Sequence, residues 1–121
     1  LDGLKKINDR WGHLVGSRAL SRVGDILRLS CRSIDIATRY GGDEFAVVLP
    51  ETAATAAGFV ASRIHELVAE ESEPPALSVS IGAAIYPSDG KTVQALLQAA
   101  DRELYGMKGR GAQQRSLLVA V

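Results

Sequence analysis

The stretch Arg39-Tyr40-Gly41-Gly42-Asp43-Glu44-Phe45-Ala46-Val47-Val48-Leu49 joins two glycines to two carboxylates and an apolar run. The glycine pair predicts a tight hairpin turn with positive φ, which glycine adopts without steric cost. The apolar run from Phe45 to Leu49 predicts a central strand that is covered on both faces. Carboxylates beside residues without side chains suit a metal-bound phosphate. A solvated acidic hairpin tip is the alternative interpretation of this motif.

Length and composition predict one domain with a single core, since the chain has 121 residues. Fourteen basic and fourteen acidic residues cancel, so we expect neither a nucleic acid partner nor membrane contact by this domain. A nucleotide ligand is compatible with this balance, because a magnesium ion neutralises much of a triphosphate. The lone Cys31 indicates a reducing, cytoplasmic location. Its apolar helical surroundings favour a small core residue over a nucleophile.

The hydrophobic pattern predicts an α/β (α+β) domain without internal repeats. A short amphipathic helix is expected over residues 4–11, and a second helix is expected to begin near Ser17, an acceptable N-cap. Further helices are expected over residues 52–69 and from Thr92, with a polar loop at residues 70–75. Strands are expected over residues 34–40, 44–49, 77–86 and 117–121. No apolar run reaches membrane-spanning length.

Read in register, the chain resembles the GGDEF domain family, the diguanylate cyclases, over nearly its whole length. The matching blocks are residues 4–9 with Gly12-His13 and Gly16, residues 32–35, residues 39–45, residues 78–82, Ala100-Asp101, Leu104-Tyr105 and Lys108. Chance does not place so many separate blocks in this order. The resemblance implies one GGDEF domain over residues 1–121, with a central, mostly antiparallel sheet wrapped by helices, similar to the palm of nucleotide cyclases and polymerases.

The resemblance also implies that the N-terminal part of the domain is missing. The chain lacks an initiator methionine, and the family's first metal-binding aspartate would fall just before Leu1. By similarity, Asp43 takes a metal-binding and general-base role, Glu44 assists, and the Leu1 carbonyl is a backbone metal ligand. The implied cofactor is Mg²⁺ or Mn²⁺, which neutralises charge on the α-phosphate and the leaving pyrophosphate. Neighbouring side chains of a strand point to opposite faces, so Asp43 and Glu44 can bind the same metal site only where the turn interrupts this alternation.

A second set of residues is implied to bind GTP. The set is Lys5, Asn8, His13, Ser17, Gly41, Gly42 and Lys108. Asn8, His13 and Ser17 map onto the family's asparagine, histidine and aspartate around guanine, and Asn8 supplies both a donor and an acceptor. A helix-surface amide and a turn-closing histidine are the alternatives for Asn8 and His13.

Two positions depart from the family pattern. Ser17 offers one neutral contact where the family's aspartate accepts charge-assisted bonds, so we predict weaker GTP affinity and poorer guanine-over-adenine discrimination. A role only as a helix N-cap is the alternative for Ser17. After Lys108 the family continues Lys-x-x-Gly-Arg, whereas this chain has Ala112 in the arginine position. Arg110 and Arg115 are candidates for reaching the same phosphate oxygens.

An Arg-x-x-Asp motif, Arg32 to Asp35, precedes the acidic pentapeptide where the family places its product-inhibition site. An arginine guanidinium can donate two hydrogen bonds to a phosphate or to guanine O6 and N7, and an aspartate accepts hydrogen bonds from guanine N1 and N2. Arg63 matches a second arginine of this inhibitory cyclic di-GMP site, and Arg39 is nearby in sequence. A solvated surface position is the alternative for each arginine.

The predicted function is condensation of two GTP into cyclic di-GMP. One site holds one GTP, so catalysis is expected to need a homodimer, and an isolated fragment is expected to be weakly active or inactive. The alternative is a degenerate, non-catalytic domain that senses cyclic di-GMP or GTP. A purely structural dimerisation module ranks below both, because it gives Asn8, Asp43 and Arg32 no reason to occur in register. Membrane anchoring of the parent protein stays open.

Overall fold

The computed structural model describes residues 1–108 and 116–120. Its helices are α1 (Leu4–Trp11), α2 (His13–Ser30), α3 (Ala54–Ala69) and α4 (Val93–Lys108). Its strands are β1 (Ile36–Arg39), β2 (Phe45–Leu49), β3 (Ile81–Ile85) and β4 (Ser116–Ala120). This arrangement confirms an α+β domain in which a central sheet is wrapped by helices. None of these described helices combines the length and apolar character that a bilayer crossing requires.

The four strands form one sheet in the order β1-β2-β4-β3. β1 and β2 are an antiparallel hairpin, in which Arg39 pairs with Phe45. The expectation of a mostly antiparallel sheet holds for this hairpin, whereas β4 is parallel to both β2 and β3. The β3–β4 pair is parallel because α4 returns the chain to the starting end of β3. β2 is interior, which confirms the prediction from its apolar run.

The two faces of the sheet carry separate clusters of buried side chains. Phe45, Val47 and Leu49 of β2 pack in the larger cluster with residues of α1, α2 and α3. Ala46, which points the opposite way, packs in the smaller cluster with residues of α4. The alternation follows from the two-residue period of a strand. α4 lies so close to β3 that a Cβ at Gly82 would overlap the Ala100 carbonyl.

Several boundaries differ from the sequence-based expectations. α2 begins at His13, after Gly12 with φ of 90°, so the N-cap interpretation of Ser17 is wrong. A positive φ, which glycine adopts without steric cost, lets the chain pass from α1 to α2 at Gly12, where no side-chain cap hydrogen bond is formed. The strand expected over residues 77–86 is shorter, because residues 77–80 precede β3 without belonging to a strand. α3 is confirmed, although its Phe59 is 72% exposed.

Candidate functional site

The acidic turn, residues 40–44, connects β1 to β2. The Tyr40 and Gly41 nitrogens both donate to the Glu44 carbonyl, at 2.8 and 3.2 Å. Neither Gly41 nor Gly42 has positive φ, so that part of the hairpin prediction is wrong. The physical reason is loop length, because a connection of this size does not need the mirror-image turn that a two-residue hairpin requires.

The two glycines matter to the acidic turn because they have no side chain, and not because of their backbone conformation. A Cβ at Gly41 would lie 3.0 Å from a carboxylate oxygen of Glu44, whereas a Cβ at Gly42 would meet no atom within 4 Å. Gly41 therefore makes room for the Glu44 carboxylate. Gly42 leaves an open face beside Asp43, where a ligand can approach the backbone.

The first residues of the chain lie against the acidic turn. Leu1 is fully buried, and its nitrogen donates to the Asp43 carbonyl at 3.1 Å. Asp2 anchors this segment: its nitrogen donates to the Ser78 carbonyl at 2.8 Å, and its carboxylate accepts from the Ser78 and Ser80 hydroxyls at 2.9 and 3.0 Å. Tertiary structure thus brings Leu1 and Asp43 together. The alternating serines before β3 were the sequence signal for this anchor.

The donor set at the acidic turn fits a cation that arrives with phosphate. Among residues 1–108 and 116–120, no three histidine, cysteine, aspartate or glutamate side chains form a group that could hold a metal ion. Asp43, Glu44 and the Leu1 carbonyl supply only oxygen atoms. Mg²⁺ typically binds one or two carboxylates and completes its shell with water and substrate phosphates. The residues present therefore fit Mg²⁺ as a partner of a phosphate ligand.

Asn8 is held at the contact between α1 and α2. Its side chain is half-buried and packs so closely on Gly16 that a Cβ there would overlap the Asn8 Oδ1. Lys5, His13 and Ser17 are exposed on the same two helices. Asn8 is therefore the most restrained of these four sequence candidates.

A cleft of about 300 Å³ lies between α2 and the hairpin; we call it the base cleft. It is lined by Ser17, Leu20, Ser21, Arg39 and Phe45. Sequence reasoning missed Ser21, which lies one helical turn after Ser17 on the same face, and that i,i+4 spacing was the available signal. Arg39 links the base cleft to the acidic turn, because its side chain lines the cleft and binds the turn.

Arg39 binds the acidic turn itself. Its Nε donates to the Gly41 carbonyl at 3.1 Å and its Nη2 donates to the Gly42 carbonyl at 2.9 Å. Only the proximity of Arg39 to Arg32 and Asp35 in the sequence predicts a place for it in the inhibitory site. In the structure it lines both the base cleft and the inhibitory groove described next.

Arg32 and Asp35 form a compact ion pair beside a groove of about 630 Å³, which we call the inhibitory groove. The Arg32 Nη2 lies 3.0 Å from the Asp35 carboxylate and also donates to the Pro50 carbonyl at 2.8 Å. Burial alone would raise the pKa of Asp35, but the hydrogen bonds and charge of Arg32 outweigh it and hold that pKa below its ordinary value.

The remaining walls of the inhibitory groove include one arginine that sequence reasoning missed. Arg28 lines it together with Arg32, Asp35 and Cys31, and its place in the last turn of α2, shortly before the Arg-x-x-Asp motif, was the signal. Burial raises the pKa of the Cys31 thiol, which favours an unreactive packing residue. Arg63 is exposed on α3 and is not among the groove's lining residues.

The phosphate candidates near the C-terminus are only partly described. Lys108 is the last residue of α4, and its side chain lies outside the described part of the chain. Positions 110, 112 and 115 also lie outside the described residues.

Comparison with known proteins gives a consistent result. The profile of the family "Diguanylate cyclase, GGDEF domain" matches residues 1–114. Diguanylate cyclase A of Treponema denticola is 37% identical over 97% of this chain and 33% of its own length. The chain spans between 17% and 33% of the length of each of three curated relatives that it matches.

Solved structures share the fold. The GGDEF domain of YfiN (TpbB) from Pseudomonas aeruginosa has a TM-score of 0.73 and 29% identity, over 96% of this chain and 76% of that one. The GGDEF domain of DgcB from Caulobacter crescentus, solved in complex with c-di-GMP, has a TM-score of 0.75 over 96% of this chain and 72% of that one. At 24% identity the second likeness concerns the fold alone. Because the family profile covers almost the whole chain, the protein belongs to the GGDEF domain family of diguanylate cyclases.

Proposed function

We propose that the chain is the GGDEF domain of a diguanylate cyclase, which condenses two GTP into cyclic di-GMP and two pyrophosphates. One observation carries the proposal: the nitrogen of the buried Leu1 donates to the Asp43 carbonyl at 3.1 Å, beside the open face at Gly42. The two residues proposed to bind the metal thus lie next to each other, with space for a phosphate beside them. Kinship to named diguanylate cyclases supports the same conclusion.

Each bound GTP would be oriented by groups at both ends. The Asn8 carboxamide offers a donor and an acceptor to the guanine edge, and packing against Gly16 restricts its orientation. Lys5 and Lys108 carry the positive charge that a triphosphate attracts. Asp43, Glu44 and the Leu1 carbonyl would hold Mg²⁺ or Mn²⁺, which supplies neutralisation of phosphate charge when it is bound.

The reaction requires two copies of the domain facing each other. The 3′-hydroxyl of one GTP attacks the α-phosphorus of the other, Asp43 accepts the hydroxyl proton, and the bond to pyrophosphate breaks. The same step in the opposite direction closes the ring. Since one site holds one GTP, positioning both nucleotides depends on a homodimer.

A non-catalytic sensor of GTP or cyclic di-GMP is the second candidate, because Ser17 stands where the family has an aspartate. Ser17 is exposed in α2 and lines the base cleft. A hydroxyl there gives guanine a weaker contact than a carboxylate. Weak substrate binding with an intact product site would favour sensing over synthesis.

The experiment that separates the two candidates is a synthesis assay on the chain fused to a parallel dimeric coiled coil and extended by an aspartate before Leu1, where the family has its first metal-binding aspartate. Incubation with GTP and Mg²⁺ is expected to produce cyclic di-GMP, measured by chromatography. Asp43→Asn is the matched control, since it removes a charge without changing size, and it is expected to abolish product. GTP binding without product from the fused dimer would select the sensor.

Product inhibition is proposed at the inhibitory groove. Cyclic di-GMP phosphates would compete with Asp35 for Arg32, and the guanine edges would take the released carboxylate. Calorimetric titration with cyclic di-GMP is expected to show binding that Arg32→Ala weakens about tenfold or more. Undiminished binding in that variant would remove the groove as the product site.

A further inference from the structure

Arg39 restrains two consecutive glycine peptides in the acidic turn. Its Nε and Nη2 donate to the carbonyls of Gly41 and Gly42 at 3.1 and 2.9 Å. The donor is charged, which makes such bonds stronger than those between neutral groups. The planar guanidinium also sets the two oxygens relative to each other. Glycine loses more conformational freedom on folding than any other residue, so this pair needs an external restraint.

The restraint reaches Asp43 through the peptide plane. The Gly42 carbonyl and the Asp43 nitrogen belong to one planar unit, so holding that oxygen fixes the peptide in front of Asp43. The Asp43 carbonyl lies in the next unit and accepts from the Leu1 nitrogen at 3.1 Å. Both peptide units that flank the Asp43 α-carbon are therefore held, one by Arg39 and one by Leu1.

The Glu44 side chain lies against the backbone that Arg39 restrains. Its carboxylate oxygen lies 3.0 Å from the position that a Cβ on Gly41 would occupy. The Glu44 carboxylate thus lies beside the Gly41 backbone, and Arg39 binds the carbonyl of that same residue.

We propose that Arg39 is a positioning residue, which orients the Asp43 and Glu44 carboxylates toward the divalent cation that accompanies GTP. The inference rests on the proposed function and gives Arg39 a role at the acidic turn in addition to its place in the inhibitory groove. Positioning and charge have opposite effects here. Removing a positive charge near a cation site strengthens cation binding by Coulomb's law, whereas loosening the carboxylates weakens it.

The test measures the dissociation constant of GTP twice, in Mg²⁺ and in EDTA, by calorimetry on the full chain. The ratio of the dissociation constant in EDTA to the dissociation constant in Mg²⁺ reports how strongly the metal supports GTP binding. We expect Arg39→Ala to lower this ratio about tenfold or more, since it removes both charge-assisted hydrogen bonds to the acidic turn. Affinity in EDTA is expected to change less than about twofold. Arg39→Lys keeps the charge but not the two-pronged geometry, and is expected to give an intermediate ratio.

Arg102→Ala is the matched control, because Arg102 is an exposed arginine on α4, and its ratio is expected to match the parent chain. Arg39→Lys keeps the test decisive if Arg39→Ala does not fold. An unchanged or higher ratio in the Arg39 variants overturns the positioning role. Equal losses of affinity in Mg²⁺ and EDTA also overturn it, since Arg39 would then contact the nucleotide directly. Absence of GTP binding by the parent chain in Mg²⁺ would instead refute the proposed function, and the inference with it.

Discussion

At the scale of single residues, Gly16 matters because of what a methyl group there would displace. A Cβ at Gly16 would overlap the Asn8 Oδ1 and lie 3.3 Å from a methyl of Leu4, whereas a Cβ at Gly24 would lie 4.0 Å from Phe45. The two glycines share α2. They therefore separate the general effect of glycine in a helix from the specific packing of Asn8.

Gly16→Ala is expected to destabilise the fold by about 1–3 kcal/mol, because the new methyl forces Asn8 and α1 outward. Gly24→Ala is the matched control and is expected to be neutral or stabilising by up to roughly 1 kcal/mol, since alanine is the better helix former. Urea unfolding followed by circular dichroism measures both. Equal free energies of unfolding for the two variants would contradict the tight Asn8–Gly16 contact.

Ser17 is the residue at which a single change should improve ligand binding. Ser17→Asp is expected to tighten GTP binding roughly tenfold or more, because a carboxylate accepts from guanine with charge assistance. Titration with GTP and with ATP measures affinity and base preference together. Ser21→Asp places the same charge one turn away in the base cleft. A Ser17→Asp variant no tighter than this control would remove Ser17 from the base site.

At the scale of elements, α2 is tied to the loop that follows α3 by two arginines one helical turn apart. The Arg22 side chain is only 4% exposed and lies 3.1 Å from a Glu71 oxygen, and it also donates to the Glu73 carbonyl at 2.5 Å. Arg18 pairs with the Glu73 carboxylate at 3.1 Å, but its side chain is 63% exposed. The polar loop at 70–75 is thus a docking segment for α2.

Arg22→Ala is expected to cost about 2–3 kcal/mol of folding free energy, since it removes charge-assisted bonds from a buried position. Arg18→Ala is expected to have little measurable effect, because solvent and salt screen an exposed pair. Thermal and urea unfolding of the two variants provide the comparison. A larger loss from Arg18→Ala would show that the buried contacts of Arg22 do not hold the loop.

At the scale of the whole molecule, the Arg32–Asp35 pair joins the segment between α2 and β1 to the segment between β2 and α3. The Asp35 side chain is 2% exposed, and its carboxylate accepts a hydrogen bond from the main-chain nitrogen of Arg32 at 2.7 Å. Arg32 in turn donates to the Thr52 hydroxyl at 2.9 Å. Loss of this one carboxylate charge therefore affects both segments together.

The lowered pKa of Asp35 predicts acid sensitivity. A lowered folded-state pKa gives stability that is complete above the unfolded-state pKa of about 3.9 and is lost as pH falls through the folded-state value. We expect Asp35→Asn to be less stable than the parent chain at pH 6 and the difference to shrink below pH 4. Urea unfolding across this range measures it. Asp9→Asn, at an exposed aspartate, is the control, and a pH-independent difference for Asp35→Asn would contradict the linkage.

The sequence was most informative where the signal is local. The apolar period of α1, the uninterrupted run of β2 and the chemistry of the polar loop depend on neighbouring residues, and the structure confirms each element. The start of α2 was misjudged because Ser17 has cap chemistry, while the chain passes from α1 to α2 at Gly12 with a positive φ. The pentapeptide motif located the acidic turn but not its backbone conformation.

By itself, the sequence determined the family, the order of helices and strands, and the set of candidate residues, because periodicity and motif spacing are properties of neighbouring residues. Tertiary structure alone decided that Leu1 meets Asp43, that Arg39 clamps the acidic turn, and that β4 lies between β2 and β3. These contacts join residues far apart in the chain or depend on the direction of one side chain. They follow from packing the whole domain, which no local pattern encodes.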